Sequence, residues 1–230
     1  ESLTLATLGR FSASLAHEIR NPLAAISYAT QLLEESREIP EADRRLLEII
    51  YQQTQRMNGI VENVLGLARR ERAQPEHVEL GEFIRHFVED YRNSHPLEVD
   101  RLDALAPTAP LVAAVDRRQL QQALTVLVHN ALVYGRLPGE AARISIRAYA
   151  DDAGTPVLDV VDRGPGIPET VAAQLFRPFF TTSGHGTGLG LYIARELCQA
   201  NEASLDYVPV PAGGACFRIR LSGARAINTT

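Results

Sequence analysis

Apolar residues recur at helical spacing through residues 3 to 73. Each of two successive sets forms a stripe along one face of a helix. The first set is Leu8, Phe11, Leu15, Ile19, Ile26 and Leu33, and the second is Leu47, Ile50, Met57, Val61, Val64 and Leu65. Pro40 separates the two sets and predicts a break between helices. The pattern therefore predicts two long antiparallel helices joined by a short connection.

A single helical hairpin of this length would leave most of both stripes in contact with water. Two copies that pair into a four-helix bundle would bury them, so we expect a homodimer. Pro22 falls inside the first helix, where proline removes a backbone hydrogen bond and crowds the carbonyl of Glu18. Because a proline inside a helix costs about 3 kcal/mol, its presence predicts a useful bend beside the residues that precede it.

After Gln74 and Pro75 the pattern becomes mixed. Turn residues from Asp151 to Gly154 join two alternating segments into a hairpin. The pattern predicts helices at 80–92, 117–134 and 187–200, and strands at 97–99, 111–115, 143–149, 157–161, 204–208 and 215–221. This order predicts a mixed sheet covered on one face by helices. We therefore expect an α+β protein with a helical domain at 1–75 and an α/β domain at 76–230, with Gln74–Pro75 as a candidate hinge.

Composition narrows the classes of function. The 230 residues are 45% hydrophobic and 22% charged, as in ordinary globular proteins. A net charge of −5 disfavours a nucleic-acid or anionic-membrane partner. No run of 18 apolar residues and no signal peptide is present, so we expect no membrane contact in this segment and a cytoplasmic location.

The methionine and cysteine residues give two expectations, one about the parent protein and one about its compartment. Met57 is the only methionine, so we interpret the sequence as a fragment whose upstream part would hold any sensor or inner-membrane anchor. Cys198 and Cys216 are too few for a disulfide framework and fit a reducing compartment. Both lie in apolar patterns, which predicts small buried side chains.

A histidine with charged neighbours lies in the first predicted helix. His17 falls midway between Leu15 and Ile19, so it points away from the stripe, and Asn21 shares its face one turn later. An imidazole with a pKa of about 6.5 is a nucleophile near neutral pH. The adjacent Glu18 could take its proton. Taken alone, a surface histidine of this kind is more often simply solvated.

Polar residues also interrupt the apolar pattern of the second predicted domain. Asn130 and Tyr134 lie one turn apart on a helix face, where an amide oxygen suits Mg²⁺ and an aromatic ring can stack on a base. Asp162 ends a predicted strand, and Gly164 and Gly166 let the backbone turn closely around a ligand.

A glycine at every second position from 184 to 190 precedes the helix at 187–200. A helix N-terminus there would offer backbone N–H groups to phosphate. Such a pattern alone is weak, and the dinucleotide fingerprint is not met because no strand closely precedes it.

Taken in order, these segments resemble the conserved boxes of bacterial sensor histidine kinases. The seven residues from His17 to Leu23 resemble the phosphoacceptor box at every position, most closely that of nitrogen-regulation-type kinases. Asn130 falls in a segment that resembles the asparagine box. The remaining boxes are matched by Asp162-x-Gly164-x-Gly166-Ile167, by Phe176-x-Pro178-Phe179 and by Gly186-Thr187-Gly188-Leu189-Gly190.

The resemblance implies a dimerisation and phosphotransfer hairpin followed by a Bergerat-type ATP-binding sandwich. His17 would take the γ-phosphate of ATP with Glu18 as base, and would pass it to an aspartate of a response regulator. Asn21 would position water for dephosphorylating that partner. Asn130 would hold Mg²⁺ and Asp162 would bind the adenine amine. The other nucleotide contacts would come from Tyr134, Gly164, Gly166, Ile167, Thr182, Gly186, Thr187, Gly188, Leu189 and Gly190.

The chain departs from the family pattern at three positions. Val126 stands where many relatives have asparagine, and Val133 and Ser183 stand where many have a cation. The sequence leaves open which cation would replace them: Arg136, His129, Arg177 or His185. Two alternatives also stay open. One is an ATP-binding dimeric phosphatase or scaffold with weak kinase activity. The other is a different Bergerat ATPase, related to topoisomerases or chaperones, which the histidine box on a hairpin disfavours.

Overall fold

The computed structural model describes residues 19, 21–33, 40, 43–51, 53–54, 57, 73–95, 97–183, 187–211 and 213–223. The chain divides into two compact units, Glu1–Glu71 and Arg72–Thr230. The domain boundary expected after residue 75 stays a prediction.

The described residues of the first unit include two helical segments, α1 at residues 21–33 and α2 at residues 43–51. The backbone N–H groups of Asp43 and Arg44 donate to the Pro40 carbonyl at 2.9 and 3.2 Å. The first turn of α2 therefore starts at the proline that predicted the break. Pro22 lies within α1. Glu18 is outside the described residues, so the bend stays a prediction.

The described residues of the first unit include both buried and exposed side chains. Leu23, Thr30, Leu47 and Thr54 are buried, and each threonine hydroxyl donates to the carbonyl four residues earlier at 2.7 Å. These bonds satisfy the hydroxyls away from water. Other members of the predicted stripes are between 44% and 50% exposed in the single chain: Ile26, Leu33, Ile50 and Met57. This exposure is what the sequence predicts for a hairpin taken alone.

The second unit contains the remaining described elements. Its strands are β1 (Glu76–Glu79), β2 (Arg101–Leu105), β3 (Val112–Val115), β4 (Arg143–Ala150), β5 (Pro156–Val161), β6 (Ser204–Pro209), β7 (Ala215–Arg220) and β8 (Ser222–Gly223). Its helices are α3 (Leu80–Ser94), α4 (Arg117–Tyr134), α5 (Glu169–Ala172) and α6 (Gly190–Ala200).

A five-stranded sheet of order β2-β4-β5-β7-β6 forms the centre of this unit. Strands β2 and β4 are parallel, and the other neighbours are antiparallel. Strands β1, β3 and β8 form a small second sheet. The hydrophobic core takes alternate residues of the large sheet, such as Leu158 and Val160 of β5, and packs them with α3, α4 and α6. The predicted mixed sheet, covered by helices on one face, is confirmed.

One predicted strand was wrong. Residues 97–99 form a turn in which the Asp100 N–H donates to the Leu97 carbonyl at 2.7 Å, and the strand starts at Arg101. The Asp100 carboxylate accepts hydrogen bonds from Arg136 at 2.7 Å and from the Ala142 N–H at 2.8 Å. These contacts come from residues about 40 positions away, so the local alternation of apolar residues does not reveal them.

Helices α4 and α6 lie side by side and run in opposite directions. A Cβ on Gly190, the first residue of α6, would lie 3.2 Å from Cγ1 of Val126. At the other end, Asn201 donates to Oε1 of Gln119 at 2.7 Å. The start of α6 therefore lies beside the second half of α4. Val126, which replaces an asparagine of many relatives, fills the space against Gly190.

Both cysteines are buried and free. Burial raises the pKa of the Cys198 and Cys216 thiols to about 12, so both stay protonated at neutral pH. The prediction of small buried side chains is confirmed. Among the described residues, no helix combines the length and hydropathy needed to cross a bilayer.

Candidate functional site

Asp162 follows the end of β5 and is 6% exposed. Its Oδ1 accepts hydrogen bonds from the backbone N–H groups of Gly164 at 2.9 Å and Ala215 at 3.0 Å. Its Oδ2 makes no hydrogen bond to any residue that the structure describes, and it keeps contact with solvent. The carboxylate is therefore held through one oxygen, and the other oxygen is available to accept a hydrogen bond from a ligand.

Burial raises the pKa of Asp162 above its ordinary value of 3.8, and the hydrogen bonds from Gly164 and Ala215 partly oppose that increase. Burial has the larger effect because it removes water from the charged form. The ionised carboxylate is thus incompletely compensated in the unliganded protein. A ligand that donates a hydrogen bond to Oδ2 would stabilise it.

The end of α4 lies directly against this carboxylate. A Cβ on Gly135 would lie 2.6 Å from the Asp162 Cβ, and a Cβ on Gly164 would lie 2.7 Å from the Gly135 carbonyl carbon. This approach requires that neither glycine carries a side chain. It brings the last turns of α4, with Asn130 and Tyr134, next to the turn that follows β5.

The two side chains on α4 are available for a ligand. Asn130 is half-buried, and its amide makes no hydrogen bond within the described residues. The Tyr134 ring is 48% exposed. An amide acceptor, an aromatic surface and an oriented carboxylate therefore lie around one end of the sandwich. Of the predicted site residues, Asp162 and Gly164 lie against the end of the helix that carries Asn130 and Tyr134, and the role of the group as a binding site stays a prediction.

The turn before β7 completes this end of the sandwich. Gly214 has a φ of +89°, and a Cβ on it would lie 2.2 Å from the Asp162 carbonyl oxygen. Gly166, with a φ of +82°, would place a Cβ 3.2 Å from the Gly214 carbonyl oxygen. Sequence reasoning missed Gly135, Gly214 and Ala215. The glycine after the end of α4 was the one local signal that could have identified the close approach.

We expect Gly214→Ala to destabilise the protein by about 3 kcal/mol, because a left-handed alanine is strained and the methyl group collides with Asp162. Gly154→Ala is the matched control, since its φ is +78° and nothing lies within 4 Å of the added Cβ. That variant should lose only about 1 kcal/mol. Urea denaturation of both variants measures the difference. Equal losses would show that the contact with Asp162 does not matter.

The glycine-rich segment contacts the phenylalanine box. A Cβ on Gly188, with a φ of +66°, would lie 2.4 Å from the Phe179 carbonyl carbon. The Thr187 hydroxyl accepts a hydrogen bond from the Leu189 N–H at 3.3 Å, and Leu189 is buried. Helix α6 starts at Gly190, three residues later than predicted, with no side-chain cap. Its first N–H groups therefore lack an internal acceptor and suit an anion.

The remaining predicted site residues divide by location. Ile167 packs against the core, and Thr182 is exposed. Asn21 is exposed at the start of α1 in the first unit. His17, Glu18, His185 and Gly186 lie outside the described residues.

The chain contains 23 arginines and no lysine. A cationic side chain that binds phosphate would therefore have to be an arginine or a histidine. Arg136 pairs with Asp100 at 2.7 Å and also donates from Nε to the Leu132 carbonyl. Burial, and after it the charge of His95, lower the pKa of His129 and favour its neutral form. Arg177 is exposed in the phenylalanine box. Of the three described candidates, Arg136 is paired with Asp100 and His129 favours the neutral form, which leaves Arg177.

A metal ion at this site would have to take some of its coordinating oxygens from a bound phosphate group. The described residues contain no cluster of three or more His, Cys, Asp or Glu side chains. Mg²⁺ takes few protein ligands when it can use phosphate oxygens and water. The unbonded amide of Asn130 fits that role, and a site made only of protein carboxylates does not fit the described residues.

Two family models match the chain in succession. Residues 7–73 match the His Kinase A (phospho-acceptor) domain. Residues 115–225 match the Histidine kinase-, DNA gyrase B-, and HSP90-like ATPase family. The order is the one that the sequence motifs predicted.

Curated relatives cover nearly the whole chain. The sensor protein kinase PilS of Pseudomonas aeruginosa is 44% identical over 233 residues, which span 99% of this chain and 43% of that protein. The C4-dicarboxylate transport sensor protein DctB of Pseudomonas aeruginosa is 36% identical over 94% of this chain and 36% of its own length. This chain spans less than half the length of these relatives. The narrower likeness to nitrogen-regulation-type kinases stays a prediction.

Solved structures share the fold. Histidine kinase ThkA, in complex with the response regulator TrrA, has a TM-score of 0.69 at 25% identity and covers 97% of this chain and 64% of its own. ShkA in complex with AMPPNP has a TM-score of 0.73 at 24% identity, over 94% of this chain and 46% of its own. The predicted α+β architecture of a helical hairpin followed by an ATP-binding domain is confirmed.

Proposed function

The chain belongs to the sensor histidine kinases of bacterial two-component systems, and from this membership we propose that it phosphorylates its own His17 with ATP. The phosphoryl group then passes to an aspartate of a separate response regulator. One observation carries the proposal. The buried Asp162, with Oδ2 unbonded, lies against Gly135 at the end of the helix that carries Asn130 and Tyr134, within the domain that matches the ATPase model.

Different residues of the second unit would contact the base and the phosphates of the nucleotide. Asp162 accepts a hydrogen bond from the exocyclic amine of adenine, and the exposed ring of Tyr134 covers the base. Gly164, Gly166 and Gly188 let their turns pack against Gly135, Gly214 and Phe179, and this packing would shape the backbone around the nucleotide. Thr182, exposed in the segment before the glycines, and the first turn of α6, which has no side-chain cap, would contact the phosphates.

Two cations would neutralise the phosphates: a Mg²⁺ ion held by Asn130, and an arginine. Asn130 would hold Mg²⁺ together with phosphate oxygens, and the bound ion would offset their negative charge. Arg177 would replace the cations that are missing at Val133 and Ser183, because Arg136 is paired with Asp100 and His129 favours its neutral form. This site places the γ-phosphate for transfer.

In the transfer step a ring nitrogen of His17 forms a bond to the γ-phosphorus, and the bond from that phosphorus to the β–γ bridging oxygen breaks. ADP is the leaving group. Glu18 accepts the proton from the other ring nitrogen. Positioning and charge neutralisation supply most of the acceleration in reactions of this type.

Residues 1–75 would act as the dimerisation and phosphotransfer domain, and residues 76–230 as the catalytic ATP-binding domain. The exposed apolar residues of α1 and α2 support a homodimer, because a second copy would remove them from water. The structural relative ThkA binds a response regulator, which supports the same class of partner for this chain. Asn21, exposed on α1, would orient water to dephosphorylate that regulator.

The absence of lysine favours one alternative, a dimeric phosphatase or scaffold that binds ATP and transfers phosphate weakly. Incubation of the chain with γ-labelled ATP and Mg²⁺ distinguishes the two functions. We expect a protein-bound label that is lost in acid and retained in base, as for a phosphohistidine. A protein that binds ATP but takes up no label would support the phosphatase or scaffold.

A further inference from the structure

Asp116 lies where three parts of the second unit meet. Its Oδ1 accepts a hydrogen bond from the Gln119 N–H at 3.0 Å and caps the start of α4. Its Oδ2 accepts from the Gln74 N–H at 3.0 Å, which ties the segment before β1 to the same carboxylate. Its own N–H donates to Oδ1 of Asn201 at 2.7 Å. Asp116 thus joins the segment before β1, the start of α4 and the end of α6.

Asn201 fixes the end of α6 at this junction. It is 6% exposed, and its Nδ2 donates to Oε1 of Gln119 at 2.7 Å and to the Leu197 carbonyl at 2.8 Å. Each of its polar atoms therefore has a partner inside the sandwich. A buried and fully bonded amide of this kind fixes local geometry, since breaking any one bond leaves a polar group without water.

The junction and the nucleotide site lie at opposite ends of the same helix pair. Gln119 and Asn130 are eleven residues apart on α4, which corresponds to about 17 Å at 1.5 Å per residue. The first residue of α6 lies beside Val126, toward the nucleotide end. A change confined to the tie between Gln74 and Asp116 therefore leaves the nucleotide contacts untouched.

We propose that Asp116 is a positioning residue for phosphoryl transfer, because its bond to the Gln74 N–H holds residues 74–75 on the sandwich. The candidate hinge at Gln74–Pro75 then belongs to the fixed part of the sandwich. Without the tie, residues 74–75 are no longer held on the sandwich, and the γ-phosphate is less often in line with His17. This inference rests on the proposed kinase function.

Two substitutions break this bond from its two sides. Asp116→Asn keeps an N-cap oxygen for Gln119, but its Nδ2 cannot accept from Gln74. Gln74→Pro removes the donor N–H and leaves Asp116 intact. Gln74→Ala is the matched control, because it keeps the N–H. We expect both tie-breaking variants to autophosphorylate about fivefold more slowly with a KM for ATP within about twofold of wild type, while Gln74→Ala behaves as wild type.

Amide hydrogen exchange of the whole chain provides a readout that does not depend on activity. Exchange at Gln74 should be several-fold faster in Asp116→Asn than in the unsubstituted chain. Unchanged exchange would overturn the tie. Unchanged autophosphorylation in both variants would overturn its positioning role, and so would a KM that rises in parallel with the loss of rate. A wild-type chain that takes up no label at all would instead contradict the proposed function.

Discussion

Asp162→Asn is expected to weaken ATP binding about 100-fold and to leave the unliganded protein as stable as wild type or more stable. The Oδ1 position must keep accepting from the Gly164 and Ala215 N–H groups. The amide nitrogen is then forced to the Oδ2 position, where it faces the adenine amine donor with a donor. Losing a hydrogen bond to a charged group in this way costs about 3 kcal/mol.

The stability half of this prediction follows from the pKa of Asp162. Burial raises that pKa above 3.8, so ionisation costs more in the folded state than in the unfolded chain. The wild type therefore loses stability, relative to the variant, as pH rises from about 4 through the raised pKa. Below that range the carboxyl is neutral in both states. The two melting temperatures should then agree in acid and diverge toward neutral pH.

Asp159→Asn is the matched control, because Asp159 is a buried carboxylate within β5, three residues before Asp162. It accepts two hydrogen bonds from Arg218 at 2.8 Å each and one from the Tyr149 hydroxyl at 3.1 Å. Weakening a buried ion pair costs about 3 kcal/mol, so this variant should melt lower and bind ATP normally. Calorimetric titration measures the ATP affinity of both variants, and thermal denaturation measures their stability. An ATP affinity in Asp162→Asn equal to that of wild type would remove Asp162 from the adenine site.

His17→Gln should abolish phosphorylation of the chain, with a loss of at least about 1000-fold in incorporated label. Glutamine has no ring nitrogen that can form the bond to phosphorus. Binding of ATP should be unchanged, since the proposed nucleotide contacts all lie in residues 130–190. Persistent labelling of the variant would mean that another residue accepts the phosphoryl group.

Asn21→Ala, one helical turn from His17, separates the two activities of this helix. The variant should incorporate label at a rate near that of wild type, because Asn21 does not form the new bond. It should release inorganic phosphate more slowly from a phosphorylated regulator, because water is no longer oriented there. Both rates can be followed with the same labelled preparation. A joint loss of labelling and phosphate release would contradict this division of roles.

Local signals predicted the elements whose ends are set by neighbouring residues. Helix α4 runs from Arg117 to Tyr134 as predicted, because Asp116 caps its start and Gly135 follows its end. Strand β2 was placed too early because its start depends on Asp100, which bonds to Arg136 and Ala142. Strand β1 was missed, since its four residues, Glu76–Glu79, show little of the apolar alternation of a buried strand.

The sequence motifs predicted which residues form the candidate site, but they did not predict the contacts that hold those residues in place. Asp162 was identified from its strand and the glycines that follow it. The Ala215 N–H that orients it lies 53 residues away and comes from β7. The burial that raises its pKa likewise depends on how the strands are ordered in the sheet. The cation was left open because only the structure shows that Arg136 is paired with Asp100.

The Gln74 tie at the start of α4 and the nucleotide site toward its end are separated by most of the helix. Asp116 and Asn130 are fourteen residues apart, which corresponds to about 21 Å. A rotation of the sandwich by about 20° about the start of α4 would carry Asn130 through about 7 Å. That travel is comparable to the length of a triphosphate, so a small turn of the whole sandwich moves a bound phosphate a long way while the contacts within the sandwich stay the same.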